Sequence, residues 1–426
     1  MSTPTQQQRE VFQISWWAGM GATTTPAPGQ TLEQAVYPKL KEALADAPVG
    51  SPLHGTPWNL VWGPYILQSD TSHLALNLMY AAQSQADPRR IVIAVAGTNP
   101  RSVFDWLVED GLVGVQVPWL YALGGGPARR ISLGTAVGLT ILQQGRPGDG
   151  IPGAGTTIRE FLKELDKQDG PQVVVTGHSL GGALSPTLGL WLHDVRPLWD
   201  PFHKVALSTQ PSAGPTAGNG PFAGYLDAEL PVTRFHNQRD VVPHAWHEAD
   251  LSRIPLLYAP FIVSPGAFAA AGVAMALAFG GDYTQIAAST PAFPEAVKRS
   301  RIDPHKSSLD NFLAQVAWQH IYAYADYFGL KDVHSNAVSD ALASAGALPS
   351  LLVHRAAGEQ TAGAAHTGSI PVGGAPVPLP GRHQPALATF VDQVVAELKK
   401  AGTPEQANAT FPLDGVHITE RVPGPA

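Results

Sequence analysis

The sequence predicts an α/β protein: an open, mostly parallel central sheet with helices on both faces. Three observations carry that expectation. Residues 91–96 (Ile-Val-Ile-Ala-Val-Ala) and 172–176 (Gln-Val-Val-Val-Thr) are short, continuous, β-branched runs of the kind buried on both faces of a sheet. A helical pattern over 154–168 leads into the second run, and an Ala/Leu-rich helical stretch at 183–192 follows it. Helix, strand, turn, helix and strand in that order are the units of a doubly covered parallel sheet.

The remaining elements follow in chain order. Residues 29–46 read as a helix, with Thr31 as N-cap and Leu32, Ala35, Val36, Leu40 and Leu44 on one face. Residues 59–67 read as a strand, and 74–82 form a second apolar stretch. In 154–168 the helix starts after Gly155 and turns Ile158, Phe161, Leu162 and Leu165 to one side. Residues 205–208 and 232–235 are further strands, and 385–400 is the last helix. One domain over residues 1–400 is expected, with an irregular Pro/Gly-rich tail at 401–426.

Composition narrows the function classes. The 426 residues suffice for a large core, only 14% are charged, and 43 glycines and 39 prolines imply many turns. The formal net charge of −7 offers no basic footprint for nucleic-acid phosphates. With no cysteine, thiolate nucleophiles, disulfides and Cys-based zinc sites are excluded. The start, Met1 to Glu10, is polar and lacks the basic-then-apolar pattern of a secretory signal, so a cytoplasmic location is favoured. No charge occurs between Arg253 and Asp282, yet Pro255, Pro260 and Pro265 leave only 266–281 uninterrupted. That is short of the roughly 18–20 residues a membrane span needs, so a buried or cap helix is expected and no transmembrane segment.

The chemistry centres on Gly177-His178-Ser179-Leu180-Gly181. A bare Gly-x-Ser-x-Gly arises by chance too easily to stand alone, but here it sits between a Val-rich strand and a helix. A nucleophilic serine needs that sharp turn, where flanking glycines remove Cβ clashes and expose the hydroxyl. The helix that follows turns free N–H groups and the positive end of its dipole towards a developing oxyanion. Ser179 is therefore the expected nucleophile of an α/β-hydrolase.

Four blocks make the chain resemble the fungal-type triacylglycerol lipases, or class 3 lipases. They are Val95-Ala96-Gly97-Thr98 with Asp105-Trp106, the stretch from Thr176 to Gly182, the stretch from Pro211 to Asn219 with Phe222, and Asn237-Gln238-Arg239-Asp240-Val241-Val242-Pro243. The resemblance implies a lipase or carboxylesterase that hydrolyses acylglycerols or similar apolar esters through an acyl-enzyme, with no cofactor. The partner it implies is an ester or lipid substrate, with a lipid–water interface as one place to meet it.

A serine hydroxyl needs a base within reach, and that base needs an orienting acid. The chain order Ser, acid, His makes Asp240 the acid, in a loop after the strand-like 232–235. His320, ahead of Tyr322, Tyr324, Tyr327 and Phe328, resembles the family's histidine and is the expected base; His305 and His334 stand next. The backbone N–H of Leu180 and Thr98 are the expected oxyanion donors. His236, His244, His247 and Asp250 sit close in sequence, but their spacing matches no metal signature, and no metal is expected.

Some features depart from the family pattern. The gap from Thr98 to Trp106 is long, as is that from Asp240 to His320, and Pro186 falls inside the helix after the nucleophile, where a kink is expected. Residues 107–126 stand where the family keeps a lid, and 250–310 read as a cap insertion whose apolar part is 254–281. Two other readings compete: a phospholipase or polyester hydrolase on the same fold, and an inactive lipid-binding protein.

Overall fold

Among the described residues a five-stranded sheet, in the order Trp58–Gln68, Ala75–Ser84, Arg90–Val95, Gln172–His178 and Ala206–Ser212, forms the centre of the fold. The computed structural model describes residues 3–68, 75–96, 113–122 and 128–330. Its strands are β1 (Trp58–Gln68), β2 (Ala75–Ser84), β3 (Arg90–Val95), β6 (Gln172–His178) and β7 (Ala206–Ser212); β4 (Gln116–Pro118) and β5 (Arg130–Ser132) pair separately. Thr98, Trp106, His334, the helix expected at 385–400 and the tail at 401–426 lie outside the described residues.

The sheet is mixed, which corrects the expectation of a mostly parallel one. β2 runs antiparallel to both β1 and β3, while β3, β6 and β7 are parallel to one another. Connection length accounts for this: β2 and β3 are joined by a short turn held by an Asp87–Arg89 ion pair, and such a turn cannot bring strands side by side in parallel. The parallel half has helical crossovers, with Leu180–Asp194 joining β6 to β7.

Alternation along the strands sorts the core into two layers. Ile91, Ile93 and Val95 of β3 face one side, with Leu139 of helix Leu133–Gln144 and Leu184 and Leu188 of helix Leu180–Asp194. Val92, Ala94 and Ala96 face the other side, with Val11 and Ile14 of helix Gln6–Trp17 and Val36 and Leu40 of helix Leu32–Ala45. Helices therefore cover both faces, as expected. Thr31 caps its helix through a capping box with Gln34, and Thr157 does the same for Ile158–Glu164 with Glu160.

Residues 232–235 do not form the expected strand. They lie beside β7 through two bridges, Thr209 with Val232 and Ser212 with Phe235. The N–H groups of Thr233 and Phe235 donate to Thr209 and Pro211. Pro211 has no N–H to return to Thr233, so the ladder is broken at its centre.

Helix Leu180–Asp194 starts three residues before the expected position and runs through Pro186. Thr187 donates its hydroxyl to the Ala183 carbonyl one turn back. In the segment read as a cap, Ser264 caps the helix Pro265–Ala278, whose Ala267, Ala274 and Ala278 pack with Trp246, Tyr258 and Phe312. Among the described residues no helix is long and apolar enough to cross a membrane. In 107–126 the described part is 113–122, where Val113, Val115, Val117 and Trp119 are buried; the Trp119 indole donates to Asp194 at 2.7 Å.

Candidate active site

β6 ends at His178 and the next helix opens at Leu180, leaving Ser179 alone to turn the chain. Its backbone is held at φ 62° and ψ −127°, a sparsely populated conformation that costs about 1–3 kcal/mol and aims the side chain away from both elements. The glycines that follow are steric requirements. A Cβ on Gly181 would meet the Val95 carbonyl at 2.3 Å, and one on Gly182 would meet that of Ser212 at 2.3 Å. Both bring the new helix against the ends of β3 and β7. The Ser179 N–H donates to Ser212 at 3.1 Å, and Gly182 donates back to Ser179 at 2.8 Å. Leu180 opens the helix, so its N–H has no intrahelical acceptor.

His320 reaches Ser179 from the other end of the chain. The helix Ser308–Ala317 passes into a π-turn, Trp318–Tyr322, and then into helix Ala323–Phe328, which Gly329 ends in the left-handed conformation. A π-turn adds a residue to the helical repeat and so re-aims a side chain without ending the helix. His320 Nε2 lies 2.9 Å from Ser179 Oγ, and its Nδ1 lies 2.8 Å from Asp240 Oδ2. All three residues are buried, Asp240 completely. The carboxylate also accepts from the Tyr324 hydroxyl at 3.0 Å and, through Oδ1, from the Val242 N–H at 3.0 Å. The structure thus brings Ser179, Asp240 and His320 into one hydrogen-bonded line.

Neighbouring groups hold that line in place. Asn237 donates its N–H to the Tyr324 hydroxyl at 2.8 Å and its side-chain amide to the Gln319 carbonyl at 2.9 Å, tying the acid loop to the histidine turn. His178 Nε2 lies 2.9 Å from the His320 carbonyl and its Nδ1 3.1 Å from Ser212 Oγ. Burial, then the nearby His320, holds the His178 pKa well below the usual imidazole range. A neutral His178 therefore donates from Nε2 to the carbonyl and accepts at Nδ1. Burial, followed by Asp240, raises the Tyr324 pKa well above the usual phenol range, so Tyr324 stays a donor.

Other residues singled out in the sequence fall elsewhere. Thr98 lies outside the described residues, so Leu180 is the described member of the expected oxyanion pair. His305 accompanies Asp303 in an exposed turn, donating its backbone N–H to that side chain. His244 Nδ1 faces the Asp240 carbonyl at 2.7 Å, and His247 Nδ1 faces Asp250 at 2.9 Å. Among the described residues no three His, Asp or Glu side chains are grouped to hold a metal ion.

Similarity to known proteins follows the same elements. The family model described as Lipase (class 3) matches residues 134–249, which include the Ser179 elbow and Asp240. Lipases of Rhizopus niveus and Rhizopus oryzae are each 40% identical over 74 residues, 17% of this chain. That match spans 18% of the length of those curated relatives. The crystal structure of M37 lipase is 32% identical, with a TM-score of 0.69, over 80% of this chain and 98% of that one.

The chain belongs to the class 3 lipase family.

Within this class 3 lipase the sequence reading missed several supporting groups. Tyr324 was visible only as part of an aromatic run and Gln319 carried no signal of its own, while Asn237 stood in a family block without an assigned role. The N-terminal helix Gln6–Trp17, read as a polar start, lies under the site. Its Phe12 stacks on Phe328 at 3.9 Å and meets the edge of His178 at 5.9 Å. Its one detectable signature was the capping box of Thr5 and Gln8.

Proposed function

We propose that this chain hydrolyses apolar carboxylic esters, acylglycerols among them, with Ser179 as nucleophile, His320 as general base and acid, and Asp240 as the orienting carboxylate. The observation that carries the reading is the continuous hydrogen-bond chain from Ser179 Oγ through His320 to Asp240, at 2.9 and 2.8 Å. Distances in this range permit proton transfer without rearrangement.

In the first half-reaction Ser179 Oγ attacks the ester carbonyl carbon while His320 Nε2 takes the hydroxyl proton. Charge gathers on the carbonyl oxygen, where the Leu180 N–H and the helix N-terminus lower its energy; Thr98 is the second proposed donor. Collapse of the tetrahedral intermediate breaks the ester C–O bond, and His320 returns the proton to the departing alkoxide. Water repeats the sequence on the acyl-enzyme, releasing the carboxylic acid and restoring Ser179. Asp240 fixes the imidazole so that Nε2 faces the serine.

Exposed apolar side chains support an apolar substrate met at a surface. Phe261, Val263, Phe268 and Phe279 all face solvent on the segment that includes helix Pro265–Ala278, and Phe279 is 81% exposed. As part of the proposal, this segment approaches a lipid–water interface, and 107–126 acts as a lid.

Initial rates on p-nitrophenyl esters of two to sixteen carbons test the reading. Hydrolysis with a preference beyond four carbons is expected, and Ser179→Ala should lower kcat by about 10⁴–10⁶-fold. A folded wild-type protein with no activity on the whole series would overturn this reading.

A further inference from the structure

We infer that the cavity beside the Asp240 loop is a binding site for a small oxyanion, a phosphate or a short carboxylate, held on the guanidinium of Arg234. The cavity measures about 300 Å³, and Arg234, His236, His244, His247, Asp250 and Gln285 are among its lining residues. It is distinct from the Ser179 site: none of the triad residues borders it.

Arg234 carries the argument. It is 7% exposed and no hydrogen bond or close ion pair from a described residue holds it; Asp250 and Asp227 favour its charge from a distance, and both Asp227 oxygens accept from the Ala287 N–H. Burial lowers its pKa to about 10, so it remains cationic near neutral pH. A buried charge without a contacting partner is costly, and a guanidinium presents a planar fork of donors matched to a carboxylate or phosphate. Asp250, on the cavity wall, does not take the role: its two oxygens are held by His247 at 2.9 Å and Arg253 at 3.2 Å.

A second orphan group lines the same space. His236 Nδ1 is buried and unpaired among the described residues. Burial, then Arg234 and His244, lowers the His236 pKa to about 3, so it is a neutral imidazole that can donate a single N–H. Arg234 and His236, two residues apart on the segment that bridges β7, place a cation and a neutral imidazole on one cavity. A metal ion does not fit a site whose strongest group is a cation. An apolar ligand would leave the Arg234 guanidinium unpaired, whereas an oxyanion pairs with it.

Isothermal titration of the full chain at constant ionic strength tests this, with inorganic phosphate in one arm, sodium butyrate in the other and sodium chloride as control. One site per chain for phosphate or butyrate is expected, and the arm that binds identifies the oxyanion; binding in neither arm overturns the inference. Arg234→Met should weaken binding at least tenfold, and His236→Phe several-fold. Either variant, folded by circular dichroism and binding with the wild-type constant, also overturns it. Should Arg234→Met fail to fold, the His236→Phe measurement decides.

Discussion

Tyr324 donates to Asp240 at 3.0 Å from one helical turn beyond His320, so the residue that orients the acid and the proposed base belong to one continuous piece of chain. The same hydroxyl accepts from the Asn237 N–H. Both roles end in Tyr324→Phe, which leaves a buried N–H unpaired and the carboxylate short of one donor. A stability loss of about 1–3 kcal/mol is expected, read by urea unfolding. The same variant should lower kcat about tenfold, some 1.4 kcal/mol of barrier, with little change in KM.

Phe12→Ala removes the ring that stacks on Phe328 and backs His178. Truncating a fully buried phenylalanine costs about 3–5 kcal/mol, so the midpoint of denaturant unfolding should fall markedly. An unchanged midpoint would show that the N-terminal helix is not part of the folded unit.

Three partly buried histidines contribute to the acid side of the stability profile. His178, His236 and His244 all have pKa values lowered chiefly by burial, His236 to about 3. Each is neutral in the folded chain but takes a proton near pH 6.5 when unfolded. Their contribution is therefore present above pH 6.5 and is lost as pH falls towards the folded pKa values. His236, whose folded pKa is about 3, adds a slope of at most about 1.4 kcal/mol per pH unit across its window. Urea unfolding between pH 7 and pH 4.5 should show this decline, and His236→Gln should reduce the slope by about one proton.

The exposed aromatics Phe261, Phe268 and Phe279 give the interface proposal a direct test. Replacing all three by serine should reduce hydrolysis of an emulsified long-chain ester at least severalfold while leaving a dissolved short-chain ester unaffected. Equal loss on both substrates would point to damage within the fold. Equal retention on both would remove the segment from any role at an interface.

What was legible in the sequence divides along physical lines. Strands β3 and β6 and the Ser179 turn are local features: β-branched runs buried on both faces, then glycines that the turn geometry demands. Asp240 and His320 were named from the family pattern, and the structure brings both to Ser179. Strand direction was misjudged because a buried β-branched run looks the same in either orientation, and the short β2–β3 connection was not weighed. The break at 232–235 depends on Pro211, a residue on the neighbouring strand. No periodicity announces the π-turn at Trp318–Tyr322, which leaves the helical pattern intact on either side. The cavity at Arg234 joins residues from separate loops, and only the folded chain assembles it.

Active-site labelling tests the central claim most directly. A fluorophosphonate should modify the wild-type chain once, with the adduct mapped by mass spectrometry to Ser179. Labelling should vanish in Ser179→Ala and slow by several orders of magnitude in His320→Ala, both variants keeping the wild-type circular dichroism spectrum. A folded wild-type chain that resists the reagent, or a Ser179→Ala chain labelled as fast as wild type, would contradict the account.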